Sequence, residues 1–157
     1  MKYHLSWLLL LISIFFTSCE RDIVFEGKQD FPERYWVFNN PAIFNFDIMD
    51  TGRKYDIMVN IRNSATYPYQ NIYLQYYLED ETGRLLSSDL KNIQLFNAVT
   101  GVPVGKGLGD LYDVERPFLD SYQFESPGKY SIRIDQFMRQ DSLPEIVSVG
   151  LRIKYTE

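Results

Sequence analysis

Histidine and cysteine are nearly missing from this sequence. Each occurs once, as His4 and Cys19, so from Glu20 onward the 157-residue chain carries neither imidazole nor thiol. That excludes Ser-His-Asp and Cys-His nucleophilic machinery, zinc sites with nitrogen or sulfur ligands, and disulfides within the chain. Long apolar runs are scarce too: one spans Leu5 to Phe16, broken only by Ser6 and Ser13, and nothing comparable follows. No stretch shows sustained helical periodicity. Positive charge is in deficit, with 16 Lys and Arg against 21 Asp and Glu for a net charge of −5. This balance argues against a nucleic-acid partner and against a polybasic membrane clamp.

What is present begins with an address. Lys2 and His4 precede the apolar run, and Thr17 and Ser18 stand directly before Cys19. A charged start, a short apolar region and small residues at a cut form a secretory signal, too short to span a bilayer comfortably as a permanent helix. The cysteine at the cut makes the site resemble a bacterial lipobox, in which the thiol is acylated and becomes the new N-terminus. Residues 1–18 are therefore expected to be a lipoprotein signal peptide and 19–32 a lipidated N-terminus and a tether that becomes an edge element. Residues 33–157 then form a single domain, long enough to close one hydrophobic core. The alternative is an ordinary signal peptide with a cysteine close by. A single acyl chain binds only marginally, so stable attachment to the membrane through Cys19 takes several chains.

Beyond the tether the apolar pattern has period two. Phe44, Phe46 and Ile48 alternate with Asn45 and Asp47, and Tyr55, Ile57, Val59 and Ile61 alternate with Asp56, Met58, Asn60 and Arg62. Ile72, Leu74, Tyr76 and Leu78 alternate with Tyr73, Gln75, Tyr77 and Glu79; Tyr130, Ile132 and Ile134 form a fourth set, and Val147 to Tyr155 a fifth. Strands with one wet face follow. Turn residues such as Asn39-Asn40-Pro41, Asp50-Thr51-Gly52 and Asp80-Glu81-Thr82-Gly83 punctuate them. About eight short strands predict an all-β, antiparallel β-sandwich, immunoglobulin-like or jelly-roll-like, with a closed barrel as the competing arrangement. Gly105 to Pro117 reads as a long loop, and Tyr122 and Phe124 as the start of a further strand.

Three features invite a functional reading. The run Gly105-Lys106-Gly107-Leu108-Gly109-Asp110 superficially resembles a phosphate loop, but no helix follows and Asp110 and Asp113 oppose an anion. Its glycines point instead to positive φ or close backbone approach. The acids Asp110, Asp113 and Glu115, with Asp120, offer oxygen ligands to calcium, although their spacing fits no calcium signature and a solvated acidic loop explains them equally. The same acids as a glycosidase pair have less behind them. The third feature is tyrosine: Tyr73 and Tyr77 fall opposite the apolar face of their strand, with Tyr67 and Tyr69 in the adjoining loop. Such rings suit a partner surface for protein or sugar, and equally a sandwich that buries part of both faces.

Several stretches together resemble the GldH-type gliding-motility lipoproteins. They are Ser18-Cys19, Tyr55-Asp56-Ile57 leading to Ile61-Arg62-Asn63, and Tyr67-Pro68-Tyr69-Gln70-Asn71-Ile72-Tyr73-Leu74. The likeness continues through Gly101 to Asp113, Phe124, Gly128-Lys129-Tyr130, Gln136-Phe137-Met138-Arg139 and Val149-Gly150-Leu151-Arg152-Ile153, covering nearly the whole chain in order. The resemblance implies a lipid-anchored accessory protein of a cell-envelope motility or secretion apparatus, on the outer membrane facing the periplasm, with other envelope proteins as partners. It offers no catalytic motif to carry over, and no cofactor or metal site is expected. The competing class is a carbohydrate- or calcium-binding module of an envelope uptake system, and a hydrolase built on carboxylates alone comes third.

Overall fold

The computed structural model describes residues 22–157. The expected signal peptide and Cys19 lie outside them. Eleven strands and no helix make up the described chain: β1 (Ile23–Asp30), β2 (Tyr35–Val37), β3 (Ala42–Ile48), β4 (Tyr55–Ser64), β5 (Asn71–Asp80), β6 (Leu85–Gln94), β7 (Lys106–Leu108), β8 (Leu111–Tyr122), β9 (Gly128–Gln136), β10 (Ser142–Pro144) and β11 (Ile146–Tyr155). Three of them are only three residues long. The remaining eight run from seven to twelve residues.

All pairings are antiparallel. One sheet runs β1-β11-β4-β8-β7, the other β3-β9-β5-β6, and β10 pairs with β2 beside them. The two large sheets keep free edges, so this is a sandwich and not a closed barrel. Ile57, Val59 and Ile61 of β4 and Val149, Leu151 and Ile153 of β11 meet Ile72, Leu74 and Leu78 of β5 and Ile132 and Ile134 of β9 in one buried core. Across the gap Tyr76 of β5 stacks on Phe118 of β8, with centroids 4.9 Å apart. A bulge puts Phe118 there. Ile57 faces Leu119 and Met58 faces Pro117, leaving Phe118 as the extra residue on β8. Pro117 sits at the same bulge, where its missing N–H is tolerated.

The domain starts earlier than expected. Ile23–Asp30, expected as a tether that becomes an edge element, form the edge strand β1, paired with β11 from Ile23↔Lys154 to Asp30↔Ser148. Its Phe25 reaches Phe44 and Phe46 of the opposite sheet, with centroids 6.4 Å and 5.7 Å away, and so caps that side of the core. At the other side β6 is one continuous ten-residue strand. Asp89 and Lys91 pair with Tyr76 and Leu74 and thus point inward, bonded to each other at 2.8 Å. Inward charges of this kind make an exposed edge a poor template for another strand.

The registers divide the strand ends into two groups. At one end lie the start of β1, the end of β11, the Met49 to Lys54 turn, the start of β9 and the β5–β6 turn. At the other lie the end of β1, the start of β5, the end of β9, the β7–β8 turn and the β2–β10 pair.

Asp80 builds the β5–β6 turn. Its carboxylate accepts from the Thr82 hydroxyl at 2.6 Å, the Thr82 and Arg84 amides at 3.0 and 3.1 Å, and Arg84 Nε at 3.0 Å. The Thr82 hydroxyl bond foremost, then the Arg84 bonds, pull its pKa down to about 2. A depressed carboxyl contributes stability above its unfolded pKa of about 3.9 and loses it as pH falls through the folded value. The melting-temperature gap between the parent and Asp80→Asn should therefore be full above about pH 4 and close towards pH 2. Thermal melts across that range check it, and a gap that persists unchanged to pH 2 counts against the turn's role.

Candidate partner surface

The outer face of the four-stranded sheet gathers aromatic side chains near one end. Period two turns Tyr73 and Tyr77 of β5 outward while Ile72, Leu74 and Leu78 enter the core. Tyr77 faces Arg133 of β9, whose guanidinium lies 4.2 Å above its ring and also bonds Asp135 at 3.1 Å. That ring is already engaged. Tyr73 is freer, 38% exposed, and next to it Phe137 is 53% exposed. Phe137 lies just past β9, held because its amide donates to the Tyr73 carbonyl at 2.8 Å. Met138 Sδ in turn accepts from the Tyr73 amide at 3.4 Å.

Tyr69, Tyr73, Leu90, Phe137, Met138 and Arg139 line one shallow groove. A second hollow continues it through Phe38, Pro41, Tyr77 and again Phe137. Trp36 anchors this second stretch from below: it is fully buried, stacked on Phe31 at 5.3 Å, and its Nε1 donates to the Asn40 carbonyl at 2.8 Å. With Trp36 turned in, Tyr35 and Val37 on either side of it must face out. Together with Arg133, Asp135, Arg139 and Gln140 these side chains form a mixed aromatic and polar surface, of the kind a partner site would need.

The glycine-rich run is a hairpin and not a loop. Lys106↔Asp113, Gly107↔Tyr112 and Leu108↔Leu111 pair β7 with β8 around a two-residue turn, Gly109-Asp110. Gly109 has φ of 67°, the requirement of the first central position of a II′ turn. At Gly105 a Cβ would collide with the Asp113 carbonyl, so the backbones there touch in a way only glycine permits. The acids are held apart by arginines. Asp110 bonds Arg34 at 3.2 Å, and Asp113 bonds Arg62 at 2.8 Å. Arg152, bonded to Glu26 and to Glu115 at 2.7 and 3.1 Å, extends the same alternation across the outer face of the five-stranded sheet. Among the described residues no three His, Cys, Asp or Glu side chains come together to hold a metal ion.

The model of the GldH lipoprotein family matches residues 23–153, from the first strand to the last. The chain belongs to that family. Over 151 residues it is 28% identical to a gliding motility lipoprotein GldH homolog of Christiangramia forsetii, covering 92% of this chain and 91% of that protein. Over 161 residues it is 27% identical to the gliding motility lipoprotein GldH of Flavobacterium johnsoniae, covering 98% of each. Among solved structures, dimeric latent PorU from Porphyromonas gingivalis is similar over 86% of this chain and 13% of its own, at 9% identity and a TM-score of 0.34. Membership makes the chain a lipid-anchored cell-envelope protein.

On this GldH-family domain the expected tyrosine surface is only partly assembled. Tyr67 is a correction. It is 5% exposed, parallel to Phe96 at 6.4 Å, and its hydroxyl donates to the Asn71 carbonyl at 3.0 Å. Burial, with Tyr69 adding to it, raises its phenol pKa. Tyr69, edge-on to Tyr67, stays partly open and lines the groove with Tyr73. Phe137, Phe38, Leu90 and Met138 escaped the sequence reading. Phe38 and Phe137 each adjoin a strand end or turn, and a large aromatic just outside an alternating segment was the available signal.

Proposed function

We propose that this chain is a non-catalytic accessory lipoprotein of a gliding-motility or associated secretion apparatus. It is acylated at Cys19 and held at the outer membrane with its domain in the periplasm. The observation that carries this reading is the match to two gliding motility lipoproteins over more than nine-tenths of all the chains concerned. Two further features support it. Residues 20–157 contain no imidazole or thiol, so they cannot build Ser-His-Asp or Cys-His machinery, and exposed aromatic side chains gather on the outer face of the four-stranded sheet.

The test is expression in a Flavobacterium johnsoniae strain deprived of its own GldH. The parent chain should fractionate with the outer membrane and restore colony spreading, whereas Cys19→Ala should appear in the soluble fraction and fail to restore it. A chain that is made and membrane-bound yet leaves the cells unable to spread sinks the motility role. Full membrane retention of Cys19→Ala sinks the anchor.

A further inference from the structure

We infer that the sandwich stands end-on to the membrane, and that its far end receives a protein segment bringing apolar side chains and a carboxylate. The inference rests on acylation of Cys19 as proposed above. Strand β1 begins at Ile23, and the four residues from Cys19 to Ile23 span at most about 14 Å even when fully extended. The end of the sandwich that carries Ile23 is thereby held beside the lipid. With it come the Met49 to Lys54 turn, the β5–β6 turn and the end of β11.

Exposed apolar side chains are distributed in the opposite sense. Among the described residues only Met49 and Leu85 are large, apolar and exposed at the tethered end, and Leu90 stands midway along β6. Tyr35, Val37, Phe38, Tyr73, Val99 and Phe137 all lie towards the far end. Along β5 the seven residues from Asp80 to Tyr73 place the aromatic groove about 23 Å further from the lipid. A surface adapted to lie in the bilayer would carry its apolar side chains near the anchor. Here they are presented where only a partner in aqueous solution reaches them.

The groove also states a charge preference. Arg139 is exposed on its rim beside Tyr73 and Phe137 and has no ion-pair partner among the described residues. In a chain with a net charge of −5, a free guanidinium at the edge of an aromatic groove selects a carboxylate on the incoming segment, and binds it in a forked geometry. Strand addition at the neighbouring edge is disfavoured by the inward Asp89–Lys91 pair, so the contact is made by side chains on the sheet face.

Acylation of Cys19 leaves an introduced cysteine as the only free thiol, which makes orientation measurable on the full lipidated chain. Fluorophores at Met49→Cys, Val99→Cys and Asn92→Cys are read in proteoliposomes whose headgroups carry a quencher; Asn92 lies opposite Tyr73 on the aromatic face. The Met49 label should lose most of its emission, while the Val99 and Asn92 labels keep theirs. Equal loss at Met49 and Asn92 means that the domain lies on its aromatic face, and overturns the inference. In cells, a photo-crosslinking residue in place of Phe137 should give an adduct with a different protein, and Arg139→Glu in the same chain should deplete that adduct several-fold. A lipid adduct, an adduct between two copies of this chain, or a yield indifferent to Arg139→Glu overturns the docking half. These readouts are independent of colony spreading, so either reading can fail while the other stands.

Discussion

Phe124→Ala is expected to lower the melting temperature by on the order of 10–20 °C. Phe124 belongs to no strand, yet it is almost fully buried and its ring touches four others. Tyr130 and Tyr122 lie 4.6 and 4.9 Å away, Tyr55 and Phe46 5.3 and 6.2 Å, and three of the four contacts are edge-on. These rings come from β3, β4, β8 and β9, so the side chain joins both sheets at the tethered end. Truncating a buried Phe to Ala costs about 3–5 kcal/mol through lost transfer energy and the cavity left behind. Rigid rings on every side cannot close that cavity, which puts this site in the upper part of the range. A domain of this size loses roughly 3–5 °C per kcal/mol. Circular dichroism melts decide it, and a fall of only a few degrees would mean that neighbouring rings relax into the space.

The same residue shows what the sequence made legible. Where one face is buried and the other wet, alternation is imposed by the pleat, so β3, β4, β5, β9 and most of β11 were readable together with the sandwich they imply. Strand β1 was legible only as a tether that becomes an edge element, because no residue in it is fully buried and Gly27 interrupts the pattern. The hairpin from Lys106 to Tyr122 was hidden for a different reason. Glycines and acids spell a loop in composition, yet here the glycines permit close strand approach and a tight turn, and the acids neutralise arginines on the outer sheet face. Phe124, Tyr67 and Phe137 have one cause in common. Each sits outside a regular strand, where period two says nothing about direction, and the first two turned inward while the third turned out.

Of all changes at the surface, Tyr73→Ser with Phe137→Ser should have the largest functional effect: colony spreading restored by the parent chain in the Flavobacterium johnsoniae background falls to that of cells lacking the protein. Aromatic anchors at the centre of an interface each contribute about 2 kcal/mol or more, so losing one weakens binding roughly 30-fold and losing two by considerably more. Folding should scarcely respond. Both side chains are exposed, the Phe137 amide still bonds the Tyr73 carbonyl, and such surface changes fall within about 0.5 kcal/mol. Outer-membrane fractionation and the melting temperature should therefore match the parent. Leu108→Ser is the control, since Leu108 is exposed at the same end but on the β7–β8 hairpin, away from the groove. It should keep spreading intact. If the double variant spreads as the parent does, the aromatic face is not where this protein meets its partner; if Leu108→Ser fails as well, the docking surface extends over the whole far end.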